Sequence, residues 1–170
     1  MRILGIDPDY AIVGWGVLDY NNNKFAPVDF GAVFTDAGTP FELRLARIFD
    51  DVNAIIERYR PQAMAIEKLF FNNNAKTAID VAKARGVVLL AAVKQHVEIF
   101  EYTPLQVKQS VVGYGRAEKK QVQEMTRIIL NLPKVPKPDD TADSLALAIC
   151  HGHAGTSMLG KLRRAGYKIN

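Results

Sequence analysis

The first third of the chain alternates short apolar runs with turn residues, a pattern of strands rather than helices. Residues 2–8 form an apolar run that predicts a buried strand, and Ile12-Val13-Gly14-Trp15-Gly16-Val17-Leu18-Asp19 predicts a second, weakened by its glycines. Asn21-Asn22-Asn23 signals a turn, and residues 25–35 predict a third strand. Connections this short require antiparallel pairing, because parallel strands need a long crossover. The period then changes. Leu45, Ile48, Phe49, Val52, Ile55, Ile56 and Tyr59 recur at helical spacing and predict a helix over 40–59 that Pro61 ends. Residues 62–67 predict a buried strand finishing at Glu67. Ala75, Ala78, Ile79, Ala82, Gly86, Leu89, Leu90 and Val93 then mark a helix whose small residues suit close packing on the sheet or against another subunit.

Residues 97–102 predict a fifth strand. Thr103-Pro104-Leu105-Gln106 has the form of a capping box with proline at the first helical position, and Gly113-Tyr114-Gly115 interrupts the helix that follows. Val122, Met125, Ile128, Ile129 and Leu132 define a helix over 118–131. A loop with Pro133, Pro136 and Pro138 leads into a last helix over about 140–152, and 154–170 reads as a basic, flexible tail. The expectation is an α/β domain over 1–153, with a five-stranded mixed sheet flanked by helices and its first three strands antiparallel.

Composition narrows the class. With 170 residues and 48% hydrophobic content, the chain matches one globular domain. No apolar run reaches the ~20 residues of a membrane span. The acidic residue at position 7 predicts no signal peptide, and Cys150 is the only cysteine, which excludes an internal disulfide and a cysteine-rich zinc site. A reducing, cytoplasmic setting with no membrane association is expected. Charge is uneven: residues 1–60 carry six Lys and Arg against nine Asp and Glu, whereas 61–170 carry sixteen against nine. That asymmetry fits a polyanion bound on one side, and it equally fits a solvated surface with a basic tail.

Four acids stand where chemistry would want them. Asp7 follows an apolar strand, Glu67 ends another, and Asp140 and Asp143 are three apart at a helix start, so both can project from one face. Carboxylates in apolar surroundings are costly unless paired, hydrogen-bonded or metal-bound. Oxygen ligands without a cysteine or histidine cluster favour Mg²⁺ or Mn²⁺ over zinc. Two such ions ~4 Å apart serve phosphodiester hydrolysis by activating water and stabilising the leaving oxygen. Simpler accounts exist as well: Asp139 and Asp140 as helix caps, Glu67 as the partner of Lys68, Asp7 as a turn residue before Pro8, while Asp143 is less well explained by capping.

Ile3-Leu4-Gly5-Ile6-Asp7-Pro8 with Gly14-Trp15-Gly16-Val17, Ala65-Ile66-Glu67-Lys68-Leu69-Phe70-Phe71, Ala84-Arg85-Gly86-Val87, Val107-Lys108-Gln109 through Gly113-Tyr114-Gly115 to Ala117-Glu118-Lys119 and Gln121-Val122, and Asp140-Thr141-Ala142-Asp143-Ser144-Leu145-Ala146 occur in this order. Together they resemble the RuvC family of Holliday junction resolvases over most of 1–153. The resemblance implies an RNase H-like fold, a homodimer, and Mg²⁺-dependent nicking of two opposed strands at a four-way DNA junction. It also implies cooperation with the RuvA–RuvB branch-migration complex. Carried over by position, Asp7, Glu67, Asp140 and Asp143 are metal ligands and catalytic, with two Mg²⁺ per subunit and Mn²⁺ as a substitute. Lys108 and Lys119 face DNA phosphates, and Phe70 stacks on junction bases, while Phe71 is read as packing, and Asn72, Asn73 and Asn74 either contact phosphates or, the favoured reading, cap the next helix.

Two positions depart from the family pattern. Asp9 replaces the usual glycine after Asp-Pro, where a tolerance for positive φ would preserve the turn, and it adds a negative charge near the metals without itself being a ligand. Val13 stands in place of threonine. His151 is expected to be a helix-dipole partner or surface group, Cys150 a small core residue, and Trp15 a packing residue in the sheet. The rivals are an RNase H-like nuclease acting on RNA or hybrids, which lacks the 107–122 segment, and a non-catalytic junction binder, which would lack an acid. A sugar-kinase-like or actin-like phosphotransferase would need a second phosphate loop and a longer chain.

Overall fold

A computed structural model describes residues 1–69 and 75–156. The elements in chain order are β1 (Arg2–Pro8), β2 (Ile12–Asn21), β3 (Lys24–Phe34), α1 (Phe41–Tyr59), β4 (Ala63–Glu67), α2 (Ala75–Lys94), β5 (Glu98–Tyr102), α3 (Pro104–Val112), α4 (Lys119–Ile129) and α5 (Asp139–Thr156). The strands form one sheet in the order β3-β2-β1-β4-β5. β1, β2 and β3 pair antiparallel, while β4 and β5 join β1 in parallel register. The β2–β3 turn is made by Asn22 and Asn23, both at positive φ (48° and 62°), as a tight two-residue hairpin requires.

Alternation along β1 divides its side chains between two cores. Leu4 and Ile6 enter a cluster with Ile48, Val52, Ile55 and Ile56 of α1 and Ala84 and Val88 of α2. Ile3 faces the opposite side, in a cluster with Val111, Val122, Leu145 and Ile149 from α3, α4 and α5. The period-2 geometry of a strand puts Gly5 and Asp7 on the same side as Ile3, and so toward α5.

Helix α5 lies on the sheet because glycine lets it. A Cβ on Gly5 would sit 1.8 Å from the Ser144 carbonyl oxygen, and one on Gly14 would sit 2.1 Å from that of Asp140. The β2 glycines, which suggested a weakened strand, are a landing surface for a helix backbone. Thr141 pins the same end by donating from Oγ1 to the Gly31 carbonyl of β3 at 3.0 Å. The Thr103 capping box opens α3 as expected, with Gln106 N donating to Thr103 Oγ1 at 3.1 Å and Thr103 N to Gln106 Oε1 at 2.8 Å.

Two expectations change. α5 continues to Thr156, so residues 154–156 of the expected tail are helical, with Ala154 packed against the α3–α5 core. Residues 157–170 lie outside the described residues. His151 is not a surface group but buried, with Nδ1 2.7 Å from the Tyr102 hydroxyl and its ring 4.3 Å from that of Phe100. Cys150 is a buried free thiol, and Trp15 packs against Tyr59 as expected, with ring centroids 5.8 Å apart.

Candidate nuclease site

Three elements bring acids to one end of the sheet. Asp7 lies one residue beyond Ile6 on β1, and Glu67 one residue beyond Ile66 on β4; Ile6 and Ile66 are parallel partners. Ala65 points to the α5 side with Ile3, and alternation gives Glu67 the same side. α5 crosses above, its first turn set down on Gly14 opposite Asp7 in the β1–β2 register. Asp140 and Asp143 therefore enter from the helix while Asp7 and Glu67 enter from the strands. Asp139 and Asp140, in the first turn of α5, also suit the positive end of the helix dipole.

The electrostatics show that these groups sense one another. Burial, followed by repulsion from Glu67, Asp143 and Asp140, pushes the Asp7 carboxyl up to about 8, against the pull of Lys119. Burial and the Asp143 charge raise Glu67 above the usual carboxylate range. Burial also raises Asp143, although the Lys119 hydrogen bond opposes it. Lys119, at the start of α4, answers these charges: its Nζ lies 2.7 Å from Asp143 Oδ2 and 3.9 Å from Asp139 Oδ2. Partial burial works against its charge, but attraction to Asp143, Asp139 and Asp7 more than offsets this and raises its pKa. Asp139 is drawn elsewhere, to an ion pair with Lys137 that holds its carboxyl below the ordinary value.

A cleft of about 190 Å³ opens beside the acids, lined by Glu67, Asp143, Lys119 and Lys108 together with Pro104, Val107 and Val122. Thus Lys108 from α3 and Lys119 from α4 share one cleft with two of the four acids. Among the described residues, no three His, Cys, Asp or Glu side chains are gathered tightly enough to hold a metal ion as they stand. The donor set still fits a hard divalent cation, since it is anionic, made only of oxygen, partly shielded, and destabilised by its own charge.

A family model for crossover junction endodeoxyribonuclease RuvC matches residues 3–151. The chain belongs to the RuvC family. It is 54% identical to the RuvC of Caldanaerobacter subterraneus, across 98% of this chain and 99% of that protein. Identity to the RuvC of Ruminiclostridium cellulolyticum is 56%, across 96% and 99%. The structure of Thermus thermophilus RuvC in complex with a Holliday junction superposes with a TM-score of 0.87 at 36% identity, across 91% of this chain and 94% of that one. The fold is accordingly the RNase H-like one that the sequence suggests, and RuvC-family resolvases are metal-dependent nucleases.

Asp9 takes a different conformation from the one expected. It is not among the residues with positive φ; instead, its Oδ1 accepts hydrogen bonds from the amides of Tyr10 and Ala11. The side chain is spent on its own turn. Arg44 closes that turn, donating to the Tyr10 carbonyl and to Thr35 Oγ1. Arg85, quoted in the sequence only as part of a motif and given no role, is buried on α2, donates to the Glu67 carbonyl at 3.3 Å and pairs with Glu101. An arginine within an otherwise apolar helical face was the available signal. Phe70, Phe71 and Asn72 to Asn74 lie outside the described residues.

Proposed function

We propose that this chain resolves Holliday junctions as a structure-selective DNA endonuclease, making paired symmetric nicks by metal-dependent phosphodiester hydrolysis in recombination and repair. The observation that carries the reading is the convergence of acids from β1, β4 and α5 beside a cleft with two lysines. Asp7, Glu67, Asp140 and Asp143 would hold two Mg²⁺ ions per subunit, with Mn²⁺ able to substitute. When bound, such ions neutralise the carboxylates, acidify a water to serve as nucleophile, and offset charge on the leaving oxygen.

The chain's own groups prepare that reaction. Asp7, whose ionised form is opposed by burial and by its neighbours' charges, would be held ionised by a bound cation. Lys119 holds Asp143 in the resting protein and, with Lys108, offers ammonium charge to the scissile phosphate and to the transition state. Phe70 would stack on unpaired junction bases, a contact of ~1–3 kcal/mol. The products would be a 5′-phosphate and a 3′-hydroxyl.

Two opposed strands call for two sites. Ile79, Leu90 and Val93 on α2 are each more than half exposed, and space is open above Gly86 between them. An apolar helix stripe at spacings of seven, four and three residues suits a second copy of the same helix, which supports a homodimer. Cooperation with RuvA–RuvB in the cytoplasm completes the proposal, and among the described residues no helix is long and apolar enough to cross a membrane.

The test is a mobile synthetic four-way junction incubated with Mg²⁺ or with EDTA, beside an RNA–DNA hybrid. Symmetric nicks bearing 5′-phosphates on the junction, only with Mg²⁺, are expected. Cleavage of the hybrid with the junction untouched would overturn the assignment.

A further inference from the structure

α4 and α5 face each other through two rungs of side chains. Lys119 and Gln123 are four apart on α4, hence on one face; Asp139 and Asp143 are four apart on α5. The first rung is made, by the Lys119 contacts to both aspartates. The second is not. Gln123 is buried, with 6% of its surface exposed, and its Nε2 has no hydrogen-bond partner among the described residues. Buried amide donors left unpaired are rare, and each calls for a reason. The amide lies close enough to Asp139 and Asp143 for weak hydrogen-bonding attraction to favour the ionised form of both, yet neither contact reaches the distance and angle of a formed hydrogen bond.

Resting on the nuclease reading above, we propose that Gln123 is a positioning residue for Asp143, its amide taking over one carboxylate oxygen when Lys119 releases it. Lys119 Nζ rests 2.7 Å from Asp143 Oδ2, and turning it toward a DNA phosphate lengthens that contact. When the ammonium turns to phosphate, Asp143 loses the one strong partner it has at rest. The Gln123 Nε2 then donates to one Asp143 oxygen and fixes the rotamer that leaves the other oxygen directed at the cation. An amide suits this role because it is neutral: it orients the carboxylate without competing for its charge, as a second lysine would.

The test uses the full chain and compares wild type with Gln123→Met, which keeps length and volume but removes the donor. In EDTA the variant melts no lower than wild type, since an unpaired buried amide has been removed. The Mg²⁺ concentration for half-maximal junction cleavage rises about 10-fold, while the rate at saturating Mg²⁺ stays within about 2-fold, and Mg²⁺ raises the melting temperature less than in wild type. An unchanged Mg²⁺ requirement overturns the proposal, as does a loss of activity equal at every Mg²⁺ concentration together with lower melting in EDTA. A second measurement needs no variant. The Gln123 side-chain amide resonances of ¹⁵N-labelled wild type should move downfield on addition of Mg²⁺ with junction, and stationary resonances overturn it. Wild-type cleavage in the same assay separates failure of this proposal from failure of the nuclease reading.

Discussion

Asp7→Asn is the most informative substitution because its effect on stability is opposite to its effect on activity. The wild-type carboxyl is pushed up to about 8, chiefly by burial and then by the charges of Glu67, Asp143 and Asp140. In an unfolded chain an aspartate titrates near ~3.9. A carboxyl raised on folding binds its proton more readily in the native state, so it penalises folding progressively as pH climbs from about 4, and fully above about 8. The interval of about four decades corresponds to roughly 5–6 kcal/mol at ~1.36 kcal/mol per decade. Solvent at the edge of this half-buried group screens part of that, leaving on the order of 2–3 kcal/mol. Asparagine has the same shape and no charge. In EDTA, thermal melts followed by circular dichroism should therefore show the variant about 5–10 °C more stable at pH 8.5, given ~2–4 °C per kcal/mol for a chain of this size. The advantage should shrink steadily toward pH 4. Added Mg²⁺ should stabilise the wild type and not the variant, which binds junctions yet does not cut them. Equal melting temperatures at pH 8.5, or a difference independent of pH, would refute the idea that Asp7 is held against its own charge.

Other substitutions probe separate parts of the argument. Gly14→Ala places a methyl 2.1 Å from the Asp140 carbonyl oxygen, so it should cost roughly 2–4 kcal/mol in denaturant melts and remove cleavage by lifting α5 off the sheet. Asp9→Gly should keep metal-dependent cleavage within a few-fold, because Asp9 is occupied with the Tyr10 and Ala11 amides; loss of that cleavage would make Asp9 a ligand. Lys119→Met should lower the cleavage rate about 10²-fold, with junction affinity in EDTA weakened only slightly, as gel-shift titration would show. Leu90→Glu, on the exposed face of α2, should shift the protein toward monomer in sedimentation without lowering helix content.

Order and type of the elements were legible because each carries its own local signal. The helical period of α1, the Asn22–Asn23 turn and the Thr103 capping box all act within a few residues. The acids were legible one at a time, all but Asp143 with a plain alternative, and the resemblance joined them. Contacts between distant segments were not legible. Gly14 read as a weak point in a strand, and only the backbone of α5 lying against it gives it a purpose. His151 read as exposed because it sits near a helix end, yet Phe100 and Tyr102 arrive from 49 to 51 residues earlier to bury it. Asp9 read through its backbone tolerance, whereas its side chain acts as the local acceptor. Gln123 carried no sequence signal beyond its place four residues after Lys119.

The seating of α5 on β1 and β2 has a consequence for how the protein is made. The first two acids emerge from the ribosome well before the last two, and the final helix must dock before all four can meet. On the proposed ligand assignment, a nascent or prematurely terminated chain ending before Asp139 would carry Asp7 and Glu67 but no complete set of ligands. A faulty message would then yield an inert fragment rather than an enzyme able to damage the chromosome.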